Sequence, residues 1–240
     1  MGLRPWFINA SRVRLARENR RFANRTEARM LVLDAGAGRG PYRPMFDHAQ
    51  YEAADFAQLG TAYTELDYVC DLSDIPVEAD RYDRILFNQV LEHVQDPRVV
   101  LAELRRVLKP GGRILCTCPL FFEEHQKPYD FYRYTQYALR MLFEDAGLEV
   151  LQLRWLEGYF GTVSHQFHQM YRYLPRDVSR FEAGWRVIYL VPLLWGTRQL
   201  ARLLRGAFAR SELRWKHTRT GMPKNYLVVA TKPDPPAVTA

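Results

Sequence analysis

Leu31-Val-Leu-Asp-Ala-Gly-Ala-Gly-Arg-Gly40 places an apolar strand directly before an acidic residue and three glycines at alternate positions. The apolar residues 31–33 are suited to a strand that is buried on both faces of a parallel sheet. Gly36, Gly38 and Gly40 can adopt backbone angles, and approach a ligand, in ways that a Cβ atom would block. The segment therefore predicts a strand followed by a turn in which a ligand lies against bare backbone.

The chemistry of this turn favours one class of ligand. Its spacing is G-x-G-x-G, which differs from the G-x-G-x-x-G of nicotinamide and flavin sites. A pyrophosphate needs amide donors at a helix N-terminus, whereas a ligand with an ammonium group also needs an acceptor. Asp34, two residues before the first glycine, supplies that acceptor. S-adenosylmethionine carries an ammonium, a carboxylate and an adenosine but no phosphate, so it fits this pattern.

Three further segments resemble class I S-adenosylmethionine-dependent methyltransferases. Residues 68–76 resemble the third strand of that family and the turn after it. Residues 81–97 resemble the fourth strand and the turn beyond, and residues 104–113 resemble the helix end before the fifth strand. The resemblance covers about residues 30–155 and a last strand near residues 225–232, and it leaves the flanks unmatched.

The cofactor residues follow partly from spacing and partly from this resemblance. Asp55 lies 19 residues after Gly36, close to the offset of about 20 at which an acid reaches ribose hydroxyls. The resemblance implies that Asp71 and Leu72 bind the adenine and that Asn88 and Gln89 lie near the methionine end. The predicted cofactor set is Asp34, Gly36, Ala37, Gly38, Gly40, Asp55, Phe56, Asp71, Leu72, Asn88 and Gln89.

The order of elements predicts a doubly wound, Rossmann-like α/β fold. Strands are predicted at 31–34, 51–55, 66–70, 83–88, 112–118 and 149–155, separated mostly by helices, and this alternation is typical of a parallel sheet. The resemblance implies an antiparallel seventh strand, which Tyr226–Ala230 fits. The length favours one domain over 1–240, with a basic helical extension at 1–30, a cofactor-binding core at 31–155, a helical insertion at 156–224 and a last strand at 225–232.

Two helix ends are marked in the sequence. One helix is predicted to end at Lys109, before a turn at Gly111-Gly112, and the next spans Tyr134–Ala146 with Gly147 as its C-terminal stop. The three cysteines are an odd number on predicted strands. They predict neither a disulfide framework nor a cysteine zinc site. Cys116 and Cys118 share one face of their strand and are predicted to pack in the core.

Acceptor recognition is predicted in the loop after the fifth strand, because residues 119–135 are rich in aromatic and ionisable groups. His125 is the candidate general base, since an imidazole can accept a proton at neutral pH. The predicted substrate-binding residues are Glu124, Tyr129, Asp130 and Arg133, together with His165 on a later helix. Packing or solvent exposure is the competing interpretation of both histidines.

Glu92 and His93 raise the question of a metal. The segment is similar to one in ubiquinone-pathway O-methyltransferases, where two glutamates and a histidine can bind a divalent ion. Here the first acidic position is Gln89, and the loss of an anionic ligand weakens a site for a hard cation. We therefore predict no metal at this place and a structural role for both residues.

Charge divides the chain into three parts. The net charge is +7, yet residues 31–149 carry 12 basic against 20 acidic residues, while residues 1–30 and 150–240 are strongly basic. Basic ends on an acidic core favour an anionic surface as partner for the ends. There is no signal-peptide pattern and no run of about 18 apolar residues, so we predict a cytoplasmic protein with peripheral membrane contact.

The second basic end favours membrane over nucleic acid. Val187–Trp195 is apolar, and the helical pattern from Thr197 places Leu200, Leu203, Leu204 and Phe208 on one side and Arg198, Arg202 and Arg205 on the other. Packing on the sheet, a lid over the substrate and a protein interface remain alternatives.

The sequence thus predicts an O-methyltransferase for a small, lipid-linked or glycan-related acceptor. A non-catalytic S-adenosylmethionine-binding or membrane scaffold and an RNA methyltransferase are the alternatives. The acidic core, and the absence of an N-P-P-Y type sequence after the fourth strand, disfavour the RNA methyltransferase. The oligomeric state is not predicted.

Overall fold

The computed structural model describes residues 9–58, 62–175 and 187–235 of the 240-residue chain. The helices are α1 (Ala10–Ala23), α2 (Pro97–Val107), α3 (Gln136–Asp145), α4 (Tyr159–Tyr173) and α5 (Val187–Arg214). The strands are β1 (Leu31–Ala35), β2 (Gln50–Asp55), β3 (Tyr68–Val69), β4 (Tyr82–Asn88), β5 (Leu108–Pro119), β6 (Glu149–Trp155) and β7 (Asn225–Thr231). Short 3-10 turns occupy Arg43–Met45 and Leu91–His93.

The seven strands form one sheet in the order β3-β2-β1-β4-β5-β7-β6. Strands β1 to β5 pair in parallel, and β7 runs antiparallel between β5 and β6. The predicted doubly wound, Rossmann-like α/β sheet with an antiparallel last strand is therefore confirmed. Because β1 pairs with β2 on one side and β4 on the other, the strand order reverses at its carboxyl end, which is where such sheets bind ligands.

The central strands are buried on both faces, as their continuous apolar sequences require. Val32 and Leu33 of β1 have no exposed surface, nor have Ile85, Leu86 and Phe87 of β4. The turn after β1 thus starts from a rigid strand. Cys116 and Cys118 are also buried, in β5, so their predicted core packing is confirmed.

The capping residues that flank the helices determine where α2 and α3 begin. The Asp96 side chain accepts hydrogen bonds from the amides of Arg98 and Val99, with Pro97 at the first turn, and the Thr135 hydroxyl accepts from Ala138. Gly147 ends α3 with a φ of +73°, a conformation that glycine adopts at low cost. The predicted stop at Gly147 is therefore confirmed.

Several predicted boundaries are wrong. Strand β5 begins at Leu108 and not at residue 112, and helix α3 begins at Gln136 and not at Tyr134. The third strand is only Tyr68–Val69. At its N-terminal end the Asp67 amide still donates to the Ala53 carbonyl (2.9 Å), but the Ala53 amide donates to the Asp67 carboxylate (2.8 Å) and not to a backbone carbonyl. The second helix ends at Val107 and not Lys109, since Leu108 has extended backbone angles and pairs with Tyr82 of β4. Pro110 disfavours a helical conformation of the residue before it.

By contacts between residues, the chain divides into two compact units. One comprises Leu15–Leu156 and Asn225–Ala240 and contains the whole sheet. The other comprises Met1–Arg14 and Glu157–Lys224. Within its described residues, the insertion predicted at 156–224 is helical and consists of α4 and α5.

In the helical unit, α4 packs against α5 through aromatic rings and a buried acid. Phe208 lies 5.7 Å from Phe160 and stacks on Phe167 at 5.7 Å. The fully buried Glu212 accepts from the Gly158 amide (2.9 Å) and pairs with Arg14 (3.2 Å). This carboxylate occupies the N-terminal end of α4, where backbone amides and the helix dipole favour negative charge.

The two predicted sides of α5 do not correspond to one exposed and one packed side. Leu200 and Leu203 are 55% and 53% exposed. Arg198 is on the packed side instead, because its guanidinium donates to the Leu174 carbonyl and lies 4.9 Å from the Tyr171 ring centre. The small, buried Ala201 follows it by three residues, which lets α4 approach closely and turns the larger leucines outward.

None of the helices in the described ranges is both long and apolar enough to cross a membrane. The segment predicted to contact membrane also included Trp185, which lies outside the described residues.

Candidate functional site

A cleft of about 930 Å³ opens at the carboxyl ends of the parallel strands. Its lining comes from the turns after four strands: Gly36 after β1, Phe56 after β2, Asp71 after β3 and Gln89 after β4. These residues are far apart in sequence. The cleft therefore lies at the edge of the sheet where the strand order reverses, which is where ligands bind in open α/β folds.

The glycine turn is built from left-handed backbone. Gly36, Gly38 and Gly40 have φ values of +80°, +52° and +60°, which residues with a Cβ adopt only at a cost. The Gly36 amide donates to the Ala54 carbonyl (2.8 Å), so the turn is tied to β2. Gly36 and Gly38 line the cleft, whereas Gly40 and Ala37 do not.

Asp55 supports this turn from the end of β2. One carboxylate oxygen accepts from the Gly38 amide (2.9 Å) and the other from the Ala57 amide (3.2 Å). The side chain lines the cleft although Asp55 is only 7% exposed. Asp55 thus presents a negative charge to the cleft in a fixed orientation, which suits a hydroxyl donor.

Asp34 does not line the cleft, although it was predicted to bind the cofactor ammonium. It is 3% exposed, it accepts a short hydrogen bond from the Tyr51 hydroxyl, and it is not among the cleft-lining residues. Burial raises its pKa to about 6, with Asp55 adding to the rise and the Tyr51 bond opposing it. Binding of a cofactor ammonium by Asp34 remains a prediction.

The other predicted cofactor residues fall into two groups. Phe56, Asp71, Leu72 and Gln89 line the cleft. Asn88 does not, because its amide donates to the Asn19 side chain (2.9 Å) and its oxygen accepts from the Thr117 hydroxyl (2.9 Å). It thus anchors the end of β4 to α1 and to β5.

An ion pair organises the loop after β5. Both Asp130 oxygens accept from the Arg133 guanidinium at 2.7 and 2.8 Å, and one of them also accepts from the His125 amide at 2.7 Å. The Asp130 side chain is only 3% exposed. The Arg133 guanidinium holds the pKa of Asp130 well below its usual range, although burial opposes this. Asp130 therefore remains charged and fixes the loop.

Arg133 bonds to the protein with all three of its guanidinium nitrogens. Besides Asp130, it donates to the carbonyls of Phe122 (3.1 Å), Glu123 (2.9 Å) and Tyr132 (2.7 Å). Neither Arg133 nor Asp130 lines the cleft. Their predicted contact with an acceptor stays a prediction, whereas their geometry is that of groups that hold the loop.

The remaining predicted acceptor residues are scattered. Tyr129 lines the cleft and its ring meets Phe56 edge-to-face at 5.4 Å. Glu124 is exposed and pairs with Lys127 (3.1 Å). His165 lies on α4, in the helical unit.

His125 does not line the cleft, but His93 does. Their rings are 4.6 Å apart, and the His93 Nδ1 atom lies 2.5 Å from the Tyr129 carbonyl oxygen. Burial lowers the pKa of His93. The sequence predicted a structural role for His93. Its place in the cleft could have been predicted from its position five residues after the end of β4, since the carboxyl ends of the strands bind ligands.

Glu92 is the most unusual group near the cleft. It has no exposed surface, and neither of its carboxylate oxygens has a hydrogen-bond partner among the described residues. Burial raises its pKa to about 8, which the charge of Arg133 opposes. Since an unpaired buried carboxylate is costly, Glu92 needs either a proton or a cation.

A family model described as a methyltransferase domain matches residues 8–153 of the chain. Together with the glycine turn, Asp55 and Asp71 at one cleft, this match accounts for the predicted cofactor chemistry.

Curated relatives match shorter stretches. A ubiquinone/menaquinone biosynthesis C-methyltransferase of Desulfotalea psychrophila is 34% identical over 97 residues, which cover 35% of this chain and 39% of the relative. A malonyl-acyl-carrier-protein O-methyltransferase of Hahella chejuensis is 30% identical over 98 residues, which cover 36% of this chain and 35% of the relative. The chain thus spans less than two fifths of the length of these relatives.

Among solved structures, phosphoethanolamine N-methyltransferase 2 of Haemonchus contortus, in complex with S-adenosyl-L-methionine, superimposes with a TM-score of 0.57. The match has 16% identity and covers 92% of this chain and 52% of that chain. At this identity the similarity shows a shared fold.

Proposed function

The chain belongs to the class I S-adenosylmethionine-dependent methyltransferases, and we propose that it methylates an oxygen of a small, lipid-linked or glycan-related acceptor. The observation that carries the proposal is the convergence of Gly36, Asp55, Asp71 and Gln89 on one cleft. These residues come from four separate turns. Backbone amides, two carboxylates and an amide at one edge match the donors and acceptors of S-adenosylmethionine.

In the proposed reaction, an acceptor oxygen attacks the methyl carbon as the carbon–sulfur bond breaks. The sulfur leaves as the neutral thioether of S-adenosylhomocysteine, and the hydroxyl proton must pass to a base or to solvent. Because the leaving group is good, alignment of oxygen, carbon and sulfur supplies much of the rate. We assign the handling of the proton to the corner of the cleft formed by His93 and its neighbour His125.

The acceptor side of the cleft favours a flat or apolar substrate. Tyr129 and Phe131, from the loop after β5, line it, and Phe131 is 39% exposed. Aromatic faces of this kind bind rings and acyl chains through apolar area, and they also stack on sugars. Two relatives that are named for quinone biosynthesis and for an acyl-carrier substrate support a lipid-like acceptor.

Cofactor binding tests the first part of the proposal. We expect Asp55→Asn to weaken S-adenosylmethionine binding about 10-fold to 100-fold in calorimetric titration, because a charged acceptor contributes about 1.5 to 3 kcal/mol to a hydrogen bond. The matched control is Asp47→Asn, an exposed acid before the opposite end of β2. Unchanged affinity in Asp55→Asn would remove the ribose role, and binding of NAD by the wild type would contradict the cofactor assignment.

We further propose that the outer face of α5 contacts an anionic membrane. The face consists of apolar side chains that are 46% to 81% exposed, namely Ile188, Tyr189, Val191, Leu193, Trp195, Leu200 and Leu203. Exposed apolar patches of this extent mark interaction surfaces. Arg202 on the same helix adds positive charge, and Trp and Tyr are enriched at membrane interfaces.

Vesicle sedimentation tests this contact. We expect vesicles that contain anionic lipid to bind the protein at low salt, and Trp195→Glu to reduce the bound fraction at least fivefold. Tyr137→Glu is the matched control, because Tyr137 is 76% exposed but lies on α3. Salt screens the electrostatic part of the attraction. Equal loss in both variants, or no binding by the wild type, would exclude the α5 surface.

A further inference from the structure

Three potential ligand atoms for a metal ion converge beside the cleft. They belong to Glu92, His93 and His125, and all lie within 4.8 Å of one another. Glu92 and His93 come from the turn after β4, whereas His125 comes from the loop after β5. The cluster is therefore assembled by the fold from two segments.

Two members of the cluster lack the partners that buried polar groups normally have. Both carboxylate oxygens of the fully buried Glu92, and the Nε2 atom of His93, have no hydrogen-bond partner among the described residues. The two groups point at each other, with Nε2 3.7 Å from Oε1, beyond hydrogen-bond distance. A group bound between the two side chains could supply a partner for both Glu92 oxygens and for the His93 Nε2 atom.

In both histidines the Nδ1 atom lies close to acceptor oxygens of the protein. The Nδ1 atom of His93 lies 2.5 Å from the Tyr129 carbonyl oxygen, and that of His125 lies 3.2 Å from the Glu123 carbonyl and 3.3 Å from the Asp130 carboxylate. Carbonyl and carboxylate partners of this kind orient metal-binding histidines and fix their tautomer. In each ring the proton is thus placed on Nδ1, and Nε2 carries the lone pair.

We propose that Glu92, His93 and His125 bind one divalent transition-metal ion of the zinc type at the wall of the cleft. Two imidazoles and one carboxylate form a ligand set that suits zinc and leaves one position open. Magnesium and calcium prefer oxygen ligands in larger number. Because His93 lines the cleft, the site lies at the cleft wall.

To bind one ion, the three ligand atoms must move closer together than they are in this structure. In a tetrahedral site with bonds of about 2.1 Å, ligand atoms are about 3.4 Å apart, which is less than the 4.8 Å limit of this cluster. His125 can supply the movement, since its side chain is 27% exposed and lies on a loop. The same exposure gives an ion a path from solvent.

The sequence predicts no metal because Gln89 stands where an acidic ligand would be needed. The structure gives Gln89 another task, as its amide donates to the Thr117 hydroxyl (3.3 Å). The third ligand is His125 instead, 32 residues after His93. With a metal bound here, neither Nε2 atom could accept the acceptor proton, and the metal would instead act as a Lewis acid that lowers the pKa of the acceptor hydroxyl. This consequence rests on the proposed function, whereas metal binding itself does not.

The test is a zinc titration of the full chain after treatment with a chelator, followed by calorimetry and by replacement with Co²⁺. We expect one Zn²⁺ per chain, a visible absorption of tetrahedral type with Co²⁺, and at least 10-fold weaker binding in His125→Ala and in Glu92→Gln. The control is His48→Ala, an exposed histidine bonded to the Thr26 carbonyl (2.8 Å). Its zinc affinity should equal that of the wild type.

Parallel titration with S-adenosylmethionine keeps this proposal separate from the proposed function. If the wild type binds S-adenosylmethionine but no zinc, the metal site is wrong and the methyltransferase assignment stands. Zinc binding that is unchanged in His125→Ala also overturns the site. This variant remains informative if Glu92→Gln does not fold, because His125 is on a partly exposed loop.

Discussion

Replacing Gly36 with alanine should lower the melting temperature by about 6 to 12 °C, corresponding to about 3 kcal/mol for a chain of this size. The new Cβ would lie 2.3 and 2.8 Å from the two methyl groups of Val90. Relieving such overpacking costs about 1 to 3 kcal/mol. The left-handed φ of +80° adds about 1 kcal/mol of backbone strain.

Gly38→Ala is the matched control for this prediction. Gly38 shares the left-handed backbone, at a φ of +52°, but nothing lies within 4 Å of the position that a Cβ atom would occupy there. It should lose only the strain, about 1 kcal/mol. Differential scanning calorimetry of the two variants therefore separates the clash from the strain.

A double variant identifies the clashing partner. If Val90 causes the loss, Gly36→Ala combined with Val90→Ala should be more stable than the sum of the two single changes predicts. Because Val90 also lines the cleft, Gly36→Ala should bind S-adenosylmethionine at least 10-fold more weakly. Equal stability of Gly36→Ala and Gly38→Ala would contradict the close approach of the turn to Val90.

The sequence was sufficient to predict the glycine turn because its determinants are local. Strand β1, Gly36 and Gly38 all lie within residues 31–38, and the burial of Val32, Leu33 and Ala35 follows from their apolar character. The parallel sheet was predicted from alternating strand and helix patterns. That alternation is wrong for the first half of the sheet, because no α-helix lies between β1 and β4 in the described residues. Asp55 could be predicted because its offset of 19 residues from Gly36 is close to the usual offset in this kind of fold, even though only the 3-10 turn Arg43–Met45 connects β1 to β2.

The sequence was insufficient where partners come from separate loops. Nothing in the pattern around Glu92 shows that His125 lies beside it, because their proximity depends on how the loop after β5 folds back. Helix α5 illustrates the same limit. Its periodicity defined two faces, but small residues such as Ala201 and the partner of Arg198 decided which face packs.

Arg133→Ala should be the most damaging change in the loop after β5, with a loss of about 2 to 4 kcal/mol in the free energy of unfolding. The guanidinium carries two hydrogen bonds to the nearly buried Asp130 and three to backbone carbonyls. Removing one partner of such a pair leaves a charge without compensation, which costs more than the pair itself contributes. Denaturant unfolding monitored by fluorescence measures the loss.

Arg140→Ala is the matched control. Arg140 pairs with Glu144 at 3.1 Å on α3, and both side chains are about half exposed. Exposed pairs at this helical spacing contribute about 0.3 to 0.5 kcal/mol. Arg133→Lys should recover only part of the loss, because an ammonium group cannot reproduce the paired contacts of a guanidinium with a carboxylate.

The same variant separates two roles of Arg133. If Arg133 holds the loop, Arg133→Ala should lose stability, and it should bind zinc more weakly because the His125 amide depends on Asp130 (2.7 Å). If Arg133 instead binds an acidic acceptor, as the sequence predicts, the variant should keep its stability and raise KM while kcat changes little. Five protein hydrogen bonds on one guanidinium favour the first outcome, since its donors are already committed.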